Sequence, residues 1–167
     1  MDEVFARLAI WFAPVMVFTC EEAWEQRHPG KGSVHLQQFP NTPEGWRDTG
    51  VAAKWDAIFR VRKSVTEALE VERREKRIGS SLEADVTVAV GDPALLTAFD
   101  GEDPAEIFIT SQAKLVAGGE GVEVTSARAA GVKCARSWKY FDPATADPAF
   151  PDITPRDAAA VREYRGL

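Results

Sequence analysis

The spacing of apolar residues predicts a long amphipathic helix at the centre of the chain. Five apolar residues recur at steps of three and four and therefore share one helix face; they are Trp55, Ile58, Val61, Val65 and Leu69. Thr49 is expected to cap the start of this helix. Beyond the stripe the residues are mostly charged, and Gly79 is expected to end the helix in a left-handed conformation. The charged end is therefore expected to extend away from the core.

Strand patterns begin directly after this helix. Val86, Val88 and Val90 alternate with Thr87 and Ala89, which predicts a half-buried strand. Further short strands are expected around and after the next glycine-rich turn, at residues 114–117, 122–126 and 131–138.

The N-terminal part is predicted to be helical. Four apolar residues share one face of a first helix; they are Phe5, Leu8, Phe12 and Val15. Pro14 is expected to kink or end that helix. Thr19 and Glu22 have the spacing of a capping box, which predicts that a second helix starts at Thr19 and stops at residues 28–30. Residues 34–39 are expected to be extended.

Aspartate–proline pairs predict two short helices in the second half of the chain. Asp92 and Asp103 each precede a proline, so each is expected to cap a helix that begins at that proline. The first is expected to end near Gly101 and the second at Ile109. The remaining segments are expected to be a proline-rich surface loop and a final helix, at residues 142–155 and 157–164. The pattern as a whole predicts an α+β fold.

The composition is that of a globular protein with a substantial core. The chain has 167 residues, of which 45% are hydrophobic. Its longest apolar run, residues 8–18, contains a proline and is shorter than the about 20 residues that a membrane-spanning helix needs. No signal-peptide pattern is visible, and the two cysteines are typical of a reducing compartment. We therefore expect a cytoplasmic protein without a membrane segment.

Charge is distributed unevenly along the chain. The formal net charge is −6, which taken alone disfavours binding to nucleic acid. However, residues 60–77 hold seven basic and four acidic residues, and residues 128–140 hold four basic residues and no acidic ones. Residues 82–125, between them, hold nine acidic residues and one basic residue. Two basic patches therefore create local positive fields; the alternative is that all these charges only solvate the surface.

Catalytic motifs are absent from the sequence. It contains no glycine-rich phosphate loop, no nucleophile elbow and no zinc-protease helix motif. His28 and His35 are expected to be polar loop residues rather than ligands. Glu21 and Glu22 are better explained by helix capping than by acid–base catalysis. A small metal hydrolase is therefore the least favoured class.

Short motifs occur in a fixed order along nearly the whole chain. They are APV at residues 13–15, FTCEEAW at 18–24, SVHL at 33–36, FP at 39–40, RREKRIGSSLEA at 73–84, TS at 110–111 and KCARSW at 133–138. This ordered set resembles the C-terminal part of bacterial isoleucyl-tRNA synthetases, a class I family. The first motifs also fit the valine and leucine relatives, whereas the IGSSLEA turn and the KCARSW ending favour isoleucine.

The resemblance implies a division of the chain into three parts. Residues 1–79 would be the C-terminal part of the anticodon-binding helical bundle, and residues 80–130 a small α/β junction domain. Residues 131–167 would be a zinc-finger-like C-terminal segment that has lost its metal ligands.

The metal positions implied by the resemblance depart from the family pattern. Relatives commonly end in a zinc module with two Cys-x-x-Cys pairs, and the four corresponding positions here are Cys134, Ser137, Thr154 and Asp157. Hydroxyl groups are poor substitutes for thiolates in a structural zinc site. We therefore expect neither zinc nor another cofactor in this segment. Aromatic rings are expected to fill the space instead; the candidates are Trp138, Tyr140, Phe141 and Phe150.

The resemblance also implies contacts with RNA. Arg136 and Trp138 stand where the family places residues near the anticodon loop; an arginine fork suits phosphate or base edges, and an exposed tryptophan stacks an unpaired base for about 1–3 kcal/mol. Further phosphate contacts would come from nearby and helix-end cations; they are Lys133, Lys139, Arg73, Arg74, Lys76 and Arg77. Two alternatives stay open, a core role for Trp138 and simple solvation of the helix end.

The function implied by the resemblance is recognition of tRNA(Ile) in translation. The full-length enzyme would attach isoleucine to this tRNA, with ATP and magnesium bound in a catalytic domain and editing in another domain. Those domains of the same chain and the tRNA would be the partners of this segment, which alone would be inactive and is expected to be monomeric. The alternative from another class is a protein–protein docking or purely structural module.

Overall fold

The computed structural model describes residues 1–166, which form both helices and strands. The chain divides into two compact units, of which the first ends at Asp48 and the second begins at Thr49. The predicted α+β class is therefore confirmed. The division at residues 1–79, 80–130 and 131–167 stays a prediction, although the long central helix shares a unit with the sheet.

The central helix α3, Thr49–Arg74, forms because its apolar residues align on one face and no proline interrupts it. The predicted stripe is confirmed: four of its members are buried in the core and Trp55 packs against that core from a partly buried position. The other core residues come from the segments that follow α3; they include Val86, Val88 and Val90 of the first strand, Phe99 in the turn after the first short helix, and Phe108 of the second short helix. No described helix, α3 included, is long and apolar enough to cross a membrane.

The end of α3 differs from the prediction. The helix stops at Arg74, and Lys76 rather than Gly79 takes the left-handed conformation, with φ of 59°. The amide of Lys76 donates to the carbonyl of Arg73 at 3.0 Å, and the amide of Arg77 donates to that of Glu72 at 2.9 Å. This is the hydrogen-bond pattern of a Schellman motif. The early turn places Ile78 in the core, where it is buried. Burial of this side chain stabilises a helix end at Arg74 over a helix end at Gly79.

Three strands form the main sheet in the order β2–β1–β3. The central strand β1, Ala84–Val90, runs parallel to β2, Gln112–Ala117, and antiparallel to β3, Val122–Arg128. Its valines point to the core, as the alternating pattern predicts. The glycine-rich turn joins β2 to β3 across the end of β1. Gly91 is required there, because a Cβ atom on it would lie 2.5 Å from the carbonyl oxygen of Gly119.

The two aspartate caps are confirmed. α4, Pro93–Thr97, begins after Asp92, whose carboxylate accepts from the amide of Ala94 at 2.9 Å. α5, Pro104–Phe108, begins after Asp103, which accepts from the amide of Ala105 at the same distance. α4 is shorter than predicted, whereas α5 ends at Phe108, one residue before the expected Ile109, which caps the helix in a left-handed conformation.

The N-terminal unit contains α1, Asp2–Phe12, and α2, Val17–Arg27, packed through a small core that includes Ile10, Trp24 and Val34. α1 ends two residues before Pro14, as expected. The predicted capping box is wrong, because α2 begins at Val17 without a side-chain cap. The neighbouring Glu21 instead accepts from the hydroxyl of Ser33 and the amide of Val34, both at 2.9 Å.

The same contacts explain a second correction in the N-terminal unit. Residues 34–36 form a 3-10 turn rather than the predicted extended segment. Ser33 caps this turn by accepting from the amide of His35. A polar tertiary contact with Glu21 and the burial of Val34 thus override the local pattern.

The C-terminal segment consists of a small hairpin and a helix. β4, Val132–Lys133, pairs antiparallel with β5, Tyr140–Phe141, and α6 extends over Pro155–Arg165. The strand predicted at residues 131–138 is therefore only two residues long, because the chain turns back directly after it. The final helix is confirmed and begins two residues earlier than expected. The buried centre of this segment consists of Cys134, Phe141, Ile153 and Ala158.

Candidate functional site

The β4–β5 hairpin carries half of the candidate RNA-binding residues. The amide of Cys134 donates to the carbonyl of Lys139 at 2.8 Å, and the amide of Trp138 donates to the carbonyl of Cys134 at 3.1 Å. The amide of Ser137 points at Cys134 Sγ, 3.4 Å away. Residues 134–139 therefore form a tight, internally bonded loop.

The four positions related to metal ligands converge in the structure. Oδ2 of Asp157 accepts hydrogen bonds from Ser137 Oγ and Thr154 Oγ1, each at 2.7 Å, and from Cys134 Sγ at 3.3 Å. Nε of Arg136 lies 3.8 Å from Oδ1 of the same carboxylate. We call Asp157 and its three donors, Cys134, Ser137 and Thr154, the carboxylate hub.

The hub favours the ionised form of Asp157. Partial burial of this carboxylate would raise its pKa, but the hydrogen bonds from Ser137, Thr154 and Cys134 and the charge of Arg136 outweigh burial and lower it. Asp157 also lies in the first turn of α6, where the helix dipole favours a negative charge. The carboxylate is thus a charged acceptor held among neutral donors.

This donor set does not fit a structural zinc ion. Structural zinc is held by four ligands such as thiolate and imidazole, whereas the hub offers one thiol, two hydroxyls and one carboxylate. The three protonated donors already hydrogen-bond to the carboxylate, which an inserted cation would have to displace. Elsewhere in residues 1–166, no group of three or more His, Cys, Asp or Glu side chains is placed to hold a metal ion.

Trp138 is exposed, so the alternative of a core role for it is wrong. Its exposed fraction is 62%, and its backbone has a left-handed φ of 64°. The ammonium group of Lys133 lies 5.5 Å from the centroid of its ring. Of the four rings expected to fill the metal-free centre, Phe141 is buried there and Phe150 packs beside it. Tyr140 is only partly buried, and Trp138 faces solvent.

An ion-pair cluster next to the turn engages Lys139. Its ammonium group and the guanidinium of Arg156 both lie 2.5 Å from Oε1 of Glu106. The hydrogen bond from Lys139 is the main reason that the pKa of Glu106 is lowered, and the charge of Arg156 adds to it. Lys139 and Arg156 are therefore both partly neutralised by Glu106; Arg156 is the more exposed of the two and was not among the residues predicted from the sequence.

The basic end of α3 is also partly neutralised by its own neighbours. Arg77 bonds to Glu72, with Nη2 2.7 Å from Oε1, and also pairs with Glu75. This contact raises the pKa of Arg77 and lowers that of Glu72. Arg73 pairs with Glu70. Among the residues that the structure describes, Arg74 and Lys76 form no ion pair, and both are exposed.

The structure places the predicted basic residues on two separate elements. Lys133, Arg136 and Lys139 lie with Trp138 in the β4–β5 hairpin, whereas the other four cations lie at the end of α3 or directly after it. Within residues 1–166, no hydrogen bond or ion pair links the two sets. The histidines remain outside both: His28 packs against the ring of Trp24 with centroids 4.3 Å apart, and His35 bonds to a backbone carbonyl.

The central role of Asp157 was missed, although the sequence carries a signal for it. Thr154 and Asp157 have the threonine-x-x-acid spacing of a capping box. Thr154 caps α6 by accepting from the amide of Asp157 at 3.1 Å. That pattern places the carboxylate at the start of the helix but does not indicate that it accepts from residues 20 and 23 positions earlier in the chain.

Comparisons with known proteins identify relatives for the whole chain. Residues 1–88 match the family described as the anticodon-binding domain of tRNA ligase. Bacterial isoleucine–tRNA ligases are similar over 99% of the chain, with 50% identity for the protein of Agrobacterium fabrum and 47% for that of Bartonella henselae. The protein of Caulobacter vibrioides is 47% identical over 96% of the chain. Each alignment covers 18% of the relative, so the chain spans about a fifth of the length of the curated relatives it matches.

Proposed function

The chain belongs to the family of anticodon-binding domains of tRNA ligases, and from that membership we propose that it recognises the anticodon region of tRNA(Ile) as part of an isoleucine–tRNA ligase. The complete enzyme attaches isoleucine to this tRNA with ATP and magnesium in the cytoplasm. Similarity to isoleucine–tRNA ligases over 99% of the chain supports this assignment. The remaining catalytic and editing domains of the complete enzyme are the protein partners of this segment.

Each part of the chain has its own place in this proposal. Residues 1–79 are the C-terminal part of the anticodon-binding bundle, residues 80–130 are a junction domain, and residues 131–167 are a finger-like tail. The tail works without zinc or another cofactor, and the protein acts as a monomer. The chemistry of the hub supports a metal-free tail, because its donors are neutral groups that hydrogen-bond to one carboxylate.

The observation that carries the proposal is the exposed ring of Trp138. A tryptophan that is 62% exposed and held at a positive φ is costly for a protein to maintain. Such a ring offers a flat face on which an unpaired base stacks. Lys133 lies beside the ring, and Arg136 is an exposed neighbour with a planar set of donors. Stacking and phosphate contacts are thus available at one place.

The two basic sets have different tasks in this proposal. The β4–β5 turn combines a stacking ring with an arginine fork, an arrangement that distinguishes bases. The end of α3 offers Arg74 and Lys76 as cations without an ion-pair partner in residues 1–166, and Arg73 and Arg77 as cations shared with glutamates. These side chains contact phosphates without reading sequence. The nine acidic residues at positions 82–125 keep the rest of the surface from binding RNA without specificity.

Salt dependence of tRNA binding tests this assignment. The logarithm of the binding constant should fall linearly with the logarithm of salt concentration, by about 0.7–0.9 for each phosphate contact. The Arg74→Ala variant should bind more weakly with a smaller slope, because it removes one such contact. The exposed Lys31→Ala, in the loop that follows α2 and outside both basic sets, is the matched control and should leave the slope unchanged.

The rival function, a protein–protein docking or structural module, predicts a different result for the salt dependence of tRNA binding. In that case the charges only solvate the surface, and binding to tRNA is absent or independent of salt. Aminoacylation by the isolated chain in the presence of ATP and isoleucine would overturn the proposed division of labour, because the chain carries no phosphate-binding loop.

A further inference from the structure

We propose that Asp157 is a positioning residue that holds the β4–β5 turn in place of a metal ion and so sets the direction of Arg136 and Trp138. The positioning of the turn stands on the geometry of the hub. Only the consequence for RNA rests on the proposed function.

The geometry ties two separate segments to a single oxygen atom. Cys134 and Ser137 reach Oδ2 of Asp157 from the start and the middle of the turn, and Thr154 reaches it from the cap of α6. The second oxygen, Oδ1, faces Arg136. One carboxylate therefore fixes both the shape of the turn and its place on the helix.

The arrangement of charges in the carboxylate hub is the reverse of that in a zinc site. In a zinc site, deprotonated ligands surround a cation. In the hub, protonated donors surround an anion, and the N-terminal turn of α6 adds a favourable dipole. Hydrogen bonds to a charged acceptor are stronger than neutral ones, which allows three of them to hold a turn that a metal would otherwise hold.

The carboxylate hub has to maintain the backbone conformation of Trp138. A left-handed backbone is unfavourable for a bulky residue and persists only where the surroundings impose it. Ser137, which precedes the tryptophan, is fixed on both sides: its hydroxyl bonds to Asp157 and its amide to Cys134 Sγ. Loss of the carboxylate should therefore loosen the turn first, before the sheet is affected.

Amide hydrogen exchange on the full chain tests this directly. Asp157→Asn keeps the shape of the side chain but removes its charge and half of its acceptor capacity. We expect the amides of Ser137 and Trp138 to exchange on the order of tenfold or more faster in this variant, as loss of charged hydrogen bonds implies. Amides of β1 should be unchanged. The matched control is Asp152→Asn, an exposed aspartate in the same segment, which should leave all of these rates unchanged.

A second variant keeps the test decisive if Asp157→Asn does not fold. The triple substitution Ser137→Cys, Thr154→Cys and Asp157→Cys creates four cysteines at the positions that converge in the structure. It should bind one Co²⁺ with the absorption bands of a tetrahedral thiolate site, and slow exchange at residues 137 and 138 should return on binding. The native chain should show no such bands.

Three results would overturn the proposal. One is equal exchange at residues 137 and 138 in Asp157→Asn and Asp152→Asn. The others are failure of the triple-cysteine variant to bind Co²⁺ and stoichiometric tetrahedral Co²⁺ binding by the native chain. Failure of the proposed function is separate: faster exchange in Asp157→Asn with no change in tRNA binding would confirm the positioning role and contradict the role of the turn in tRNA recognition.

Discussion

At the scale of single residues, the candidate site depends on which charges are already satisfied within the protein. The cations of the β4–β5 turn are not equivalent, because Lys139 is engaged by Glu106 whereas Arg136 lies at the longer distance of 3.8 Å from Asp157. The sequence does not distinguish these cations, because the partner Glu106 is 33 residues away from Lys139 along the chain. Trp138, the proposed stacking residue, is exposed, as stacking on an RNA base requires.

The Glu106 cluster predicts a pH dependence of stability. The pKa of Glu106 in the folded chain lies below its ordinary value of 4.5, mainly because Lys139 donates a hydrogen bond to it. Its contribution to the free energy of unfolding is therefore complete above that value and is lost as the pH falls through the folded pKa. Glu106→Gln should lower the free energy of unfolding at neutral pH by about 1 kcal/mol or less, because the carboxylate is partly exposed.

Denaturant titrations at several pH values check this expectation. The difference between Glu106→Gln and the native chain should shrink steadily below pH 4.5. The exposed Glu163→Gln, on α6, is the matched control and should show no comparable trend. A difference for Glu106→Gln that is constant from neutral to acidic pH would contradict an electrostatic origin.

At the scale of elements, the sequence correctly predicts those helices and strands that contacts between nearby residues stabilise. The helix stripe of α3, the alternation in β1 and the aspartate caps of α4 and α5 are each stabilised within a few residues or by one buried face, and all are present. The capping box at Thr19 is wrong because α2 begins at Val17, which places Thr19 inside the helix. The extended conformation expected at residues 34–39 is wrong at residues 34–36, where Glu21 accepts hydrogen bonds from Ser33 and Val34. The convergence of three hydrogen-bond donors on Asp157 is also not predictable from the sequence, because these donors lie on two separate segments.

The end of α3 gives a prediction at this scale. Lys76 has a left-handed backbone, which costs a residue with a Cβ atom roughly 1 kcal/mol relative to glycine. Lys76→Gly should therefore raise the free energy of unfolding by about 1 kcal/mol. Gly79→Ala should have little effect, because the added Cβ meets only the flexible side chain of Glu83 at 3.3 Å.

Thermal or denaturant unfolding of the two variants distinguishes the observed helix end from the one that the sequence pattern favours. If the helix ended at Gly79 instead, Gly79→Ala would be the destabilising change and Lys76→Gly would weaken the helix. That reversed order of stabilities would contradict the Schellman motif at Lys76.

At the scale of the whole molecule, the two basic sets lie on separate elements, and the C-terminal tail is proposed to be stable without a metal ion. The tail should be independent of metal, because the hub holds its donors through hydrogen bonds. A strong chelator should therefore leave the melting temperature of the native chain unchanged, although structural zinc in finger peptides is worth on the order of 10 kcal/mol. The zinc-loaded triple-cysteine variant is the positive control and should melt at a lower temperature with chelator. A large chelator-induced drop in the native chain, or stoichiometric zinc in it by metal analysis, would show that other ligands are recruited.

The most direct test of the central claim is the dissociation constant of the chain for tRNA(Ile) and for the same tRNA with an altered anticodon. We expect the native chain to prefer the unaltered tRNA by on the order of tenfold, the value of one good contact to a base edge, which Arg136 would make to a base stacked on Trp138. Trp138→Ala should abolish this preference, whereas Arg74→Ala should weaken binding to both tRNAs by the same factor. Equal binding of both tRNAs by the native chain, or a preference that survives in Trp138→Ala, would contradict the claim that this turn reads the anticodon.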